Sequence, residues 1–160
     1  MNASSVIRVL ARYVLAVLVA YSLASLFSTQ SVVANLGNLG VTLTWLERLR
    51  MGLQDLAGMG GIFLPVIATA FALALPVASW LGRKRPAWRK LLFALAGAVG
   101  LIAVHLSLQA AFDIIPIAGA RSALGLCAQA LAGAIGGYIF ASTFLPALSA
   151  APTEHMSSRC

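Results

Sequence analysis

Four stretches of this chain, residues 13–46, 56–82, 91–112 and 122–153, contain no Asp, Glu, Lys or Arg. A helix needs about 20 apolar residues to cross a hydrocarbon core about 30 Å thick. Three of the stretches exceed that length with residues to spare, and 91–112 fits a single crossing. Only 9% of the 160 residues are charged, while 61% are hydrophobic; an ordinary soluble domain carries about 25% charged residues. So few charges do not cover the surface that a folded chain of this length leaves exposed. A soluble globular protein is therefore excluded, and the outer face must meet lipid.

The expected fold class is all-α: an integral membrane four-helix bundle in one domain over residues 1–150, with a short cytoplasmic tail over 151–160. The apolar runs place the spans at about 9–28, 60–81, 91–112 and 122–145. Helices are expected because a backbone in lipid must satisfy its own amides. A closed barrel would show period-two alternation instead of continuous Ala, Leu, Val and Ile.

Lys and Arg set the orientation. Four crossings place Arg8, Arg12, Arg83, Lys84, Arg85, Arg89, Lys90 and Arg159 on one side. On the other side, Arg48, Arg50 and Arg121 are balanced by Glu47, Asp55 and Asp113. By the positive-inside rule both termini are cytoplasmic. Trp80 and Trp88 bracket the basic loop and Trp45 lies on the far side, at depths that favour amphipathic rings. The net charge of +7 is thus a topology signal and does not indicate nucleic acid. The first span also admits a second reading, as a secretory signal with a cleavage site near Val32-Val33-Ala34. Cys127, inside an apolar run, and Cys160, at the end of the chain, are expected to be free thiols.

An amphipathic interfacial helix is expected between spans one and two, over about 44–57. Thr44 and Glu47 have the spacing of a capping box, and Leu46, Leu49, Leu53 and Leu56 recur at helical intervals. Before it, Asn35 to Gly40 reads as a turn region rich in Gly and Asn. Pro65 and Pro76 predict one or two kinks in span two.

Polar residues at depth are the informative ones, because each is costly against lipid. His105, Gln109 and Gln129 form the candidate intramembrane polar cluster. Counted from Asp113 and Ser122, His105 and Gln129 both lie roughly 10 to 12 Å below the outer boundary, so a hydrogen bond between them is expected to clasp spans three and four. Gly125, Gly133 and Gly137 recur with Gln129 every fourth residue as helix-packing small residues. Gly97, Gly100, Gly136 and Ala130 add more small residues than one helix pair uses, which motivates a homo-oligomer or a larger membrane complex. At the outer turn, Asp113 and Arg121 are expected to form an ion pair across the apolar hairpin that holds Pro116 and Gly119.

The inventory assigns no catalytic, cofactor-binding or metal-ligating residue. The two histidines, His105 in a span and His155 in the tail, are too far apart for a metal cluster. There is no GxSxG, no phosphate-cradling GxxxxGK[ST] and no carboxylate pair within one span. The expected protein is a small multi-pass protein of the cell inner membrane, structural or accessory, without enzyme activity or nucleic-acid partner. Its Ala, Gly and Leu richness points to a bacterial source. The alternatives are a transporter or channel component with a polar path at His105, Gln109 and Gln129, and a quinone- or haem-contacting redox subunit centred on His105.

Overall fold

Continuous runs of Ala, Leu, Val and Ile, interrupted only by Gly, Pro and short polar turns, fold into helices. The computed structural model describes residues 3–38, 40, 43–112 and 123–144. It contains α1 (Ala3–Asn38), α2 (Trp45–Gly58), α3 (Gly60–Lys84), α4 (Arg89–Phe112) and α5 (Ala123–Phe144), with a 3-10 turn at Pro86–Trp88. Four of these, α1, α3, α4 and α5, are long and apolar enough to cross a membrane. Large apolar side chains such as Ile62, Leu73 and Leu124 point outward, at 81%, 70% and 84% exposure. Such a surface is stable in hydrocarbon and not in water.

α5 lies between α1 and α4, α4 lies between α5 and α3, and α1 meets α3 less extensively. Phe71, Phe93, Ile67 and Leu101 fill the centre, with Ala16, Ala20 and Ala24 closing it on the α1 side. Burial of apolar area gives little between helices already solvated by lipid, so close packing must hold them together. Glycine supplies that packing. A Cβ on Gly97 would overlap the backbone of Gly133, and one on Gly137 would overlap the carbonyl of Phe93. α4 and α5 therefore touch backbone to backbone. One residue along, a Cβ on Gly136 would lie 2.8 Å from Ala20 Cβ and 2.9 Å from the Ala16 carbonyl oxygen. Adjacent glycines thus let α5 press against α4 on one face and α1 on another.

Several sequence expectations change here. α1 runs over 3–38, not 9–28; its 36 residues measure about 54 Å, well beyond the hydrocarbon thickness. Past Phe27 the helix carries a polar face: Ser31 Oγ donates to the Phe27 carbonyl at 3.0 Å, and Thr29 Oγ1 lies 3.1 Å from the Ser25 carbonyl oxygen. The turn expected over Asn35–Gly40 is consequently mostly helix. The chain turns at Gly40, whose φ of 81° suits a residue without Cβ, and whose N–H donates to the Gly37 carbonyl at 3.0 Å.

α3 remains one helix through Pro65 and Pro76, with Thr69 Oγ1 donating to the Pro65 carbonyl at 2.9 Å. Three of the four small residues that suggested a surplus for oligomer contacts, Gly97, Gly100 and Gly136, meet neighbours within the chain. Gly97 and Gly136 sit in the seams just described, and Gly100 faces Ala70 and Ala74 of α3. The Asp113–Arg121 ion pair, the 151–160 tail, His155 and Cys160 lie outside the described residues, and Cys127 is a free, exposed thiol.

Candidate functional site

The half of the bundle away from the basic loop gathers polar and aromatic side chains from every helix. α2 builds its rim. Its first turn is fixed by Glu47, whose Oε2 accepts the Thr44 N–H at 2.8 Å and the Thr44 hydroxyl at 2.7 Å. These two bonds hold the Glu47 carboxyl below its ordinary value. α2 then docks on α1 through Gly52, Asp55 and Leu56. Asp55 Oδ2 accepts from Thr29 Oγ1 at 2.7 Å, Leu56 offers its carbonyl to the Tyr21 hydroxyl, and a Cβ on Gly52 would meet Leu26 at 3.8 Å.

The expected leucine stripe behaves differently from a buried one. Leu46, Leu49 and Leu53 stay exposed, with Trp45 beside them, while Asp55, from the charged side of the pattern, makes the anchor. A helix that keeps its leucines outward at the membrane edge has lipid for their partner.

Beneath α2, aromatic rings lead inward. Tyr21 packs edge-on against Phe63 with centroids 6.3 Å apart, and Phe63 lies 5.8 Å from the His105 ring. His105 and Gln129 are both buried. The Gln129 hydrogen bond goes to α1: Nε2 donates to the Ala24 carbonyl at 2.9 Å. Gln129 therefore ties α5 to α1, where the sequence led us to expect a tie to α4. Among the described residues, His105 Nε2, Gln129 Oε1 and Ser25 Oγ are buried without a hydrogen-bond partner.

Gln109 is not part of this node; it is exposed. Residues four apart drift by about 40° around a helix, and one such step past His105 carries Gln109 off the inward face. Gly125, Gly133 and Gly137 are all buried, the last two in the α4 seam.

The residues that sequence reasoning missed are Tyr21, Ser25, Thr29 and Asp55. Their signal was available in the Ser28-Thr29-Gln30-Ser31 run, which looks like the end of a span and is instead a polar helix face awaiting a partner. Among the described residues no group of three or more His, Cys, Asp or Glu side chains is placed to hold a metal ion. A comparison with protein-family models, curated proteins and solved structures finds no match for this chain.

Proposed function

We infer that the protein is a multi-pass protein of the inner membrane with both termini in the cytoplasm, acting as a structural or accessory subunit. The observation that carries this reading is the use made of the deepest polar group. Gln129, fully buried, donates to a main-chain carbonyl of a neighbouring helix, the role of a fixed clasp. Support also comes from three clefts on the described surface whose linings include neither His105 nor Gln129. The orientation rests on the asymmetry of Lys and Arg.

A polar path is the competing reading, and it draws on the unpartnered atoms of Ser25, His105 and Gln129. Proteoliposomes loaded with a pH-sensitive dye separate the two. Under a potassium diffusion potential the clasp predicts proton entry no faster than in protein-free vesicles, and a lower melting temperature for Gln129→Leu. Proton entry that requires the protein and disappears in His105→Leu would overturn it. An impermeant thiol reagent applied to intact cells carrying Arg85→Cys tests the orientation, with labelling expected only after lysis.

A further inference from the structure

Ser25, His105 and Gln129 belong to three different helices, α1, α4 and α5, and none of their side chains is more than 5% exposed. Ser25 Oγ, His105 Nε2 and Gln129 Oε1 have no hydrogen-bond partner among the described residues. Buried polar atoms almost always have one, and lipid offers no substitute.

The three positions converge. Ser25 stands one turn from Tyr21 and one turn from Thr29, on the face of α1 where the Tyr21 ring meets Phe63. The Phe63 ring in turn lies 5.8 Å from that of His105. Ala24, next to Ser25, accepts from the Gln129 amide at 2.9 Å. α4 and α5 run antiparallel with Gly97 against Gly133 and Phe93 against Gly137. The same steps of four put Leu101 opposite Gln129 and His105 one turn beyond it. Helical side chains tilt toward the N-terminus of their own helix, so His105 leans toward the level of Gln129 and Gln129 toward that of His105.

The donors and acceptors define what can join them. A carboxamide oxygen only accepts, a hydroxyl both donates and accepts, and an imidazole nitrogen does one or the other according to its tautomer. Water, with two O–H groups and two lone pairs, answers all three at once. It donates to Gln129 Oε1, accepts from the Ser25 hydroxyl, and meets His105 Nε2 with whichever of its remaining groups suits the tautomer. Buried waters in folded proteins make about three such bonds, to groups that otherwise lack a partner.

We propose that this node is a binding site for one buried water molecule that joins α1, α4 and α5, so that Gln129 holds α1 directly and α4 through water. The proposal rests on the clasp reading of Gln129 and adds a third helix to it.

The test is hydroxyl-radical labelling by a brief X-ray pulse, applied to the full chain in lipid nanodiscs and read by mass spectrometry. The radicals form from water itself, so a bound water marks the side chains around it even where bulk solvent does not reach. Phe63, beside His105, and Phe71, in the dry centre of the core, are both buried and have the same intrinsic reactivity. Phe63 and His105 should be oxidised severalfold more than Phe71. Ser25→Val, which removes a hydroxyl and fills its space, should bring Phe63 down to the level of Phe71; should that variant fail to fold, Gln129→Leu is expected to do the same. Wild-type oxidation of Phe63 no greater than that of Phe71 overturns the proposal, and so does oxidation that the folded variants leave unchanged. Proton entry into proteoliposomes judges the clasp separately: a dry node without proton entry removes the water and keeps the clasp, whereas a wet node with protein-dependent proton entry keeps the water and removes the clasp.

Discussion

The α4–α5 seam and the α1–α2 junction hold the same bundle together by opposite means. The seam depends on atoms that are missing: Gly97, Gly133 and Gly137 let two backbones meet where any Cβ would overlap. The junction depends on atoms that reach across, Thr29 to Asp55 and Tyr21 to the Leu56 carbonyl. Between hydrocarbon-solvated helices, dispersion at close approach is a main source of adhesion; at the membrane edge, directional bonds fix a polar helix in one place. The seam should therefore tolerate no added volume, while the junction should lose its hold gradually as bonds are removed.

The sharpest way to break that contrast is Gly97→Val. A branched side chain against the Gly133 backbone forces the helices apart and should cost about 3 kcal/mol or more, read as a large fall in the unfolding midpoint of the purified protein. A midpoint near wild type would show that the seam is not the tight contact described. At the junction, Thr29→Val removes the donor to Asp55. A loss of about 1.5 kcal/mol is expected, a value typical of a bond to a charged acceptor, appearing as faster amide exchange in α2 with the α4–α5 seam undisturbed. Equal exchange in both regions would erase the distinction.

Gln129→Leu tests the clasp between the two regions. Interhelical hydrogen bonds in membranes average about 0.6 kcal/mol and reach about 1.7, so a modest drop in melting temperature is expected. A loss as large as that of Gly97→Val would make Gln129, not glycine packing, the main lock.

The smallest effect concerns pH. Glu47 is held below its ordinary value by its Thr44 bonds, so its contribution is complete above that ordinary value and is lost as pH falls through the lowered one. Protection of the amides at the start of α2, taken relative to intrinsic exchange at each pH, should be flat above about pH 5 and fall below about pH 4. Glu47→Gln should remove that dependence, and a pH profile unchanged by the substitution would argue against the cap.

Much of the architecture is legible in residue order. The charge-free stretches mark all four membrane-length helices, and Thr44 with Glu47 marks the start of α2 to within a residue. Helix lengths are read less well. α1 outruns its apolar run because Ser31 satisfies itself along the helix and Thr29 finds Asp55, which approaches from a segment later in the chain. The same limit governs the polar node. Periodicity places Gln109 on a line with His105, but the line turns outward by that residue, so the node keeps His105 and loses Gln109.

The sequence by itself determined that the described residues hold four helices long and apolar enough to cross a membrane, and where the basic side chains cluster, because those depend on the transfer of individual residues from water and add along the chain. Only the tertiary structure decided that Gln129 bonds α1 and that Gly136 and Gly137 serve two different neighbours. Those are properties of pairs of surfaces, set by the rotation and spacing of helices about each other, which no single segment encodes.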